Sequence, residues 1–192
     1  MNPDECKLFA APLGTVFLDR DGVINRKLPE GCYVTGWQDF DLLPGVAEAI
    51  RKLNAAGLLA VVVTNQRGVA RGRCTLAAVS ALHERLQEEL ARQNAHLDGF
   101  FVCPHEKGQC ECRKPLPGLF HQACQRFPQI EAASSVMIGD ALGDIEFGLN
   151  LGMRTICVDA GAHPGPEAAR AAALATAHVT SLAEAVALLP GC

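Results

Sequence analysis

Asp19 and Asp21 stand one residue apart in the run Asp19-Arg20-Asp21-Gly22, directly behind the apolar stretch Thr15 to Leu18. Two more acids, Asp140 and Asp144, follow Val136 to Ile138 and Gly139. Carboxylates gathered in one place repel one another, so they either raise a pKa or hold a cation. An oxygen-rich acidic set suits magnesium, which keeps some of its waters and shares phosphate oxygens. A carboxylate can also attack phosphorus, and the resulting aspartyl-phosphate splits one hard hydrolysis into two easier steps. A second Asp two residues on can protonate the leaving oxygen and later activate water. Thr64 and Asn65, in the run Thr64-Asn65-Gln66, can donate hydrogen bonds to a transferring phosphoryl group. Lys114 can neutralise the charge that develops on its oxygens. Singly, each of these has an ordinary explanation as a turn, a helix cap or a solvated charge. Their joint placement behind successive apolar stretches points to an acid-rich cleft.

A second constellation is softer. Cys103-x-His105-x4-Cys110-x-Cys112 offers three thiolates and an imidazole, the donor set of a closed tetrahedral zinc site. The bland alternative is that the thiols are small buried hydrophobes and His105 a surface residue. A closed site leaves no open position for chemistry, so zinc would be structural and would hold Arg113 and Lys114 toward the cleft. Cys6, Cys32, Cys74, Cys124, Cys157 and Cys192 form no such pattern; Cys124 and Cys157 read as core residues.

These residues need elements that bring them together. Apolar runs alternate with helix-period segments, the pattern of βαβ units in a parallel sheet. Thr15 to Leu18, Leu58 to Val63, Phe100 to Val102, Val136 to Ile138 and Thr155 to Val158 read as strands. Helices are expected over Val46 to Ala56, closed by Gly57, and from Thr75 as N-cap, burying Leu76, Val79, Leu82, Leu86 and Leu90. Further helices carry Leu119, Phe120, Ala123 and Phe127, then Ile145 to Leu151 ahead of Gly152. The last opens with a capping box, Ser181 with Glu184. The expected fold is a three-layer α/β/α sandwich on a Rossmann-like sheet of about five parallel strands. Right-handed crossovers bring the carboxyl ends of those strands to one edge, where ligands bind. Alternation along the chain would set Asp19 and Asp21 on one side.

With 192 residues, one domain is expected. A net charge of −4 leaves no footprint for nucleic acid or an anionic membrane. The N-terminus has acids where a signal peptide would be basic, and no apolar run is long enough to span a bilayer. A cytoplasmic protein is the expectation. Nine cysteines there argue for metal rather than disulfides.

Phe17-Leu18-Asp19-Arg20-Asp21-Gly22-Val23 resembles the first motif of the haloacid dehalogenase-like phosphatases. Val63-Thr64-Asn65 resembles their second motif, Lys114 their third, and Gly139-Asp140 with Asp144 their fourth, over about residues 14 to 160. The resemblance implies that Asp19 is the nucleophile and a magnesium ligand. It implies that Asp21 is the general acid/base, with its backbone carbonyl on the metal, and that Asp140 is the third protein ligand. Asp144 would stand behind the metal, and Thr64 and Lys114 would hold the phosphoryl group.

Residues 64–72, 31–34 and 110–115 are similar to one branch of the family, the heptose bisphosphate phosphatases. The neighbouring histidinol-phosphate phosphatases share the metal loop and the Asn-Gln pair. Many members of the heptose branch carry a basic residue after the last motif, where this chain has Ala141. The chain leaves no room for a separate cap domain, so substrate choice falls to three loops, Asn25 to Trp37, Gln66 to Arg73 and Glu106 to Lys114. Asn65, Gln66, Arg67, Arg71 and Arg113 are the candidates to bind substrate, the arginines at a second phosphate. Tyr33 and Trp37 are placed to pack on a sugar or to anchor a lid. The expectation is thus a monomeric, magnesium- and zinc-containing phosphatase acting on a small phosphorylated sugar, with neither a nucleic-acid nor a membrane partner. A nucleic-acid 3′-phosphatase is opposed by the acidic balance, and a non-catalytic zinc-bearing binding protein by the complete acid set.

Overall fold

The computed structural model describes residues 12–159 and 165–192, so the N-terminal acids and Cys6 lie outside the described residues. Six strands form one sheet: β1 (Thr15–Leu18), β2 (Leu59–Asn65), β3 (Gly99–Cys103), β4 (Ser135–Gly139), β5 (Arg154–Val158) and β6 (Ala177–Val179). Their order is β3-β2-β1-β4-β5-β6, with all neighbours parallel. The sequence reading of five strands omits β6. Its three residues, Ala177-His178-Val179, lie at the sheet edge with His178 exposed between two partly covered neighbours, too short to show an apolar run.

The two faces of the sheet are separated by the period-2 alternation of its side chains. The short helix α2 (Arg67–Ala70) follows β2; Val16 and Leu18 of β1 pack with Ala60, Val62, Val136 and Ile138 against α1 (Val46–Ala55), α3 (Leu76–Ala91) and α7 (Leu182–Ala187). Phe17, Val61, Val63 and Met137 face the other way, onto Leu119 and Ala123 of α4 (Gly118–Arg126) and Phe147 of α5 (Leu142–Asn150). A smaller cluster, Ile145, Cys157 and Ala171, seats α6 (Pro166–Leu174). The three-layer sandwich follows, each buried Leu, Val or Phe contributing roughly 1.5–3 kcal/mol.

Several local expectations are refined. Thr75 caps α3 by accepting from Ala78 N at 3.1 Å, but Leu76, in its first turn, is 47% exposed rather than buried. His83 takes an inward position instead, stacked on Phe100 with ring centroids 4.4 Å apart. Helix α5 begins at Leu142, three residues before the periodic stretch, and so takes Asp144 into its first turn. At α7, Ser181 Oγ accepts from Glu184 N at 3.2 Å. The Glu184 carboxylate accepts from Thr180 N rather than from the N-cap residue, so only half of the expected capping box forms. Trp37 stacks on Phe40 and lies under Arg85, anchoring its loop to the core instead of presenting a face to ligand. Among the described residues no helix is long and apolar enough to cross a membrane.

Candidate active site

The strand order reverses between β1 and β4, and the acidic residues collect at the carboxyl ends of those two neighbours. Leu18 pairs with Ile138, and Asp19 N donates to Ile138 O at 2.9 Å, so β1 hands Asp19 directly to the end of β4. Asp140 follows Gly139, and the first turn of α5 adds Asp144. One oxygen from each of Asp19, Asp140 and Asp144 lies within 4.8 Å of the others, all three residues buried. Two glycines make this crowding possible. A Cβ on Gly139 would fall 2.2 Å from Asp144 Cβ, and one on Gly22 (φ 92°) 2.5 Å from the Asp140 carboxyl carbon. Neither position can carry a side chain while those acids stay in place.

Lys114 reaches this cluster from the loop behind β3. Its Nζ donates to Asp19 Oδ1 at 2.8 Å, to Asp144 Oδ1 at 2.7 Å and to Val63 O at 2.5 Å. The loop is held there by Asn65, which accepts from Lys114 N at 3.1 Å and donates to Lys114 O at 3.2 Å. Asn65 thus spends its amide on the backbone of the lysine. Lys27, which the sequence reading did not single out, donates to Asp140 Oδ2 at 2.5 Å.

Burial pushes the Asp19 carboxyl up to about 6, with Lys114 opposing the rise and Asp144 and Asp21 adding to it. Burial likewise pushes Asp140 up to about 7, with Lys27 opposing and Asp144 and Asp19 adding. Buried acids so arranged need a cation. The fit to magnesium rests on Asp140 Oδ1, which is buried and accepts no hydrogen bond among the described residues. Hard oxygen donors around such an orphaned carboxylate oxygen match that ion's preference.

Asp21 does not join the cluster, contrary to the simple alternation. The chain turns after Asp19, with Ile24 N and Asn25 N both bonded to Arg20 O, and sends the Asp21 carboxylate sideways. There Arg20 Nη2 lies 2.9 Å from both of its oxygens, Asn25 Nδ2 donates at 2.9 Å and Gln66 Nε2 at 2.8 Å. Burial pushes this carboxyl up, but the Arg20 charge and the hydrogen bonds from Asn25, Arg20 and Gln66 outweigh it and hold the pKa below the usual aspartate value. As a ligand to the cluster, Asp21 has only its backbone carbonyl to offer, consistent with the close approach of Gly22 to Asp140. Gln66 also donates to Thr64 Oγ1 at 2.9 Å, and so ties the end of β2 to Asp21.

Behind Asp21, buried Arg20 donates to His83 Nε2 at 3.4 Å, which requires that nitrogen to be unprotonated. Burial pushes His83 down to about 3, and the Arg20 charge adds to the shift against Asp21. An unfolded histidine takes up a proton near pH 6.5 and the folded one does not, so stability is complete above that pH and falls as pH drops toward 3. The expected loss is about 2 kcal/mol between pH 7 and 5. Urea unfolding of the wild type and of His83→Gln should show that slope in the first and not in the second; equal slopes would refute it.

The soft-donor residues also converge. Cys103, at the end of β3, lies 3.5 Å from Cys110 (Sγ to Sγ) and 3.9 Å from His105 Nδ1. Cys112 Sγ lies 3.3 Å from both His105 Nδ1 and Cys110 Sγ. Four ligands about 2.3 Å from a tetrahedral centre are separated by about 3.7 Å, so the donor set fits zinc.

The arginines are already engaged. Arg71 Nε donates to Glu106 at 2.7 Å and its Nη1 to Tyr33 Oη at 3.2 Å; Arg67 lies 3.7 Å from the same carboxylate. Arg113 Nη1 donates to His105 O at 3.4 Å. Arg20, Asn25, Lys27, His83 and Glu106 had no individual role in the sequence reading, although Asn25, Lys27 and Glu106 fall within the loops expected to choose substrate. Only Arg20 left a signal, as an arginine between two acids where the chain enters the core. Asn25, Lys27, His83 and Glu106 meet their partners through tertiary contacts alone.

Residues 111–185 match the HAD-hydrolase-like family model. D-glycero-alpha-D-manno-heptose-1,7-bisphosphate 7-phosphatase of Mycobacterium tuberculosis (strain ATCC 25618 / H37Rv) is 47% identical over 137 residues, 71% of this chain and 72% of that protein. D-glycero-beta-D-manno-heptose-1,7-bisphosphate 7-phosphatase of Escherichia coli (strain K12) is 38% identical over 173 residues, 85% of this chain and 88% of that protein. Among solved structures, the D,D-heptose 1.7-bisphosphate phosphatase of B. bronchiseptica complexed with magnesium and phosphate matches with a TM-score of 0.76 and 29% identity, over 91% of this chain and 97% of that one.

Proposed function

The chain belongs to the haloacid dehalogenase-like phosphatases, and from that premise we propose that it removes the C7 phosphate of D-glycero-D-manno-heptose 1,7-bisphosphate through an aspartyl-phosphate on Asp19. The observation that carries the reading is Asp19 itself. It stands at the strand-order reversal between the Lys114 ammonium and a buried acid cluster in which one Asp140 oxygen has no partner among the described residues.

Lys114 binds Asp19 Oδ1, which leaves Oδ2 as the attacking atom. Attack forms the bond from Oδ2 to phosphorus, and the bond to the C7 oxygen breaks. The leaving oxygen takes its proton from Asp21. At rest Asp21 is ionised, and a phosphoryl dianion beside it raises its pKa and lets it hold that proton. Once ionised again, it draws a proton from the water that attacks the aspartyl-phosphate, releasing inorganic phosphate. Arg20, Asn25 and Gln66 aim Asp21 throughout. Asp19, Asp140 and the Asp21 carbonyl would hold magnesium. Magnesium, when bound, neutralises the acids and the phosphoryl oxygens so that a dianion can approach a carboxylate.

Cys103, His105, Cys110 and Cys112 would hold a structural zinc that fixes the loop carrying Arg113 and Lys114. Arg113 is the arginine best placed to meet the second phosphate, because Arg67 and Arg71 must first leave Glu106. We read the chain as a single catalytic domain acting as a monomer in the cytoplasm.

The test is phosphate release from the alpha and beta anomers of the heptose 1,7-bisphosphate and from histidinol phosphate, with and without magnesium. Magnesium-dependent release from a heptose anomer, well above that from histidinol phosphate, is the expected result. The same preparation should hold one zinc per chain by elemental analysis. Preference for histidinol phosphate would overturn the substrate, and no release from a folded, zinc-loaded protein would overturn the activity.

A further inference from the structure

Two lysines reach the acid cluster, and they are equipped differently. An ammonium has three N–H donors and no acceptor. Lys114, its side chain 1% exposed, uses all three on Asp19, Asp144 and Val63 O, so it has none left for a ligand in this arrangement. The side chain of Lys27 is 48% exposed, and Asp140 Oδ2 is its one hydrogen-bond partner among the described residues. The Asp140 side chain beneath it is 2% exposed, so the pair runs from the buried acid cluster to the surface. Asp19 and Asp144 are the next charges within its field.

Asp140 is divided between two tasks. Its Oδ2 anchors Lys27, while its Oδ1 accepts no hydrogen bond among the described residues. Lys27 therefore need not leave for the cluster to hold a cation. It stays beside the reacting centre with N–H groups to spare.

We propose that Lys27 positions the substrate: anchored on Asp140, its ammonium donates its remaining N–H groups to the phosphoryl group that Asp19 attacks. The proposal rests on the phosphatase reading above. A phosphoryl dianion brought against three carboxylates needs more positive charge than the saturated Lys114 provides. A half-exposed ammonium held by a buried acid supplies that charge at the solvent-exposed edge of the cluster. Charge-assisted hydrogen bonds to phosphate are the strong ones, so the contact should be measurable in ligand binding.

The experiment compares wild type, Lys27→Met and Lys27→Arg as full chains. Each is titrated calorimetrically with magnesium alone, then, magnesium-loaded, with inorganic phosphate; KM and kcat are measured on the heptose bisphosphate. Lys27→Met should bind inorganic phosphate about tenfold more weakly and raise KM by a similar factor. Its magnesium affinity should stay within about threefold of wild type, and Lys27→Arg should recover most of the phosphate affinity. Unchanged phosphate binding in Lys27→Met would overturn the proposal. So would a loss of phosphate binding that merely follows an equal loss of magnesium affinity, because Lys27 would then serve only to hold Asp140. A wild type that neither binds phosphate nor hydrolyses the ester would instead refute the phosphatase reading, a result distinct from active wild type with an unaffected variant.

Discussion

Asp19→Asn is expected to lower turnover by about 10^4-fold or more, as removal of a covalent nucleophile does. The amide keeps the size of the carboxyl group and can still accept from Lys114 through its oxygen, so the fold should survive. In magnesium-free buffer the variant should be the more stable protein above pH 6. Burial and the neighbouring acids push Asp19 up to about 6. A carboxyl whose pKa is higher folded than unfolded weakens the fold once pH passes through that range, because the unfolded chain loses the proton more easily. Replacing it removes this penalty, and about 1–2 kcal/mol should be gained at pH 7.5 after allowing for the weaker contact with Lys114. Below pH 4, where the wild-type carboxyl is protonated, the two proteins should converge. Urea unfolding at the two pH values and phosphate release at neutral pH provide the measurements. Substantial residual turnover would remove Asp19 from the role of nucleophile.

Lys114→Met should have the largest effect on stability. The ammonium is buried between Asp19 and Asp144 and also caps the Val63 carbonyl. Burial pushes its pKa down, but those two carboxylates outweigh it and hold the ammonium charged above its ordinary range. Methionine fills much the same volume but leaves two buried acids facing each other without compensation. Breaking a buried charge pair from one side costs roughly 3–5 kcal/mol. The loss should shrink in acid, where Asp19 takes up a proton in the variant. Adding Asp19→Asn to Lys114→Met should recover part of it, a non-additivity expected only of groups in contact. Independent, additive losses in the double variant would show that the contact carries little energy.

The elements were largely legible in the residue order, because each has a local cause. Continuous apolar runs gave the five longer strands, and Thr75 and Gly57 marked helix ends through cap and turn chemistry. The sixth strand was not legible, since three residues at the sheet edge are too few to establish a periodicity. Nor was the outward turn of Leu76, the first residue of α3, which is 47% exposed.

The division is clearest at the site. The sequence by itself determined which chemistry this protein carries: acids at the ends of two strands, a lysine behind a third, and three cysteines with a histidine within ten residues. Strand-end placement is a local property, and parallel topology then brings such ends together whatever the loops do. The tertiary structure alone decided what each polar side chain holds. It turned Asp21 away from the cluster onto Arg20, Asn25 and Gln66, and gave Asn65 to the backbone of Lys114. It also tied Arg67 and Arg71 to Glu106, and laid Lys27 on Asp140 across 113 positions of chain. A buried donor or acceptor must find a partner somewhere, and which one it finds depends on distances between loops that no local pattern encodes.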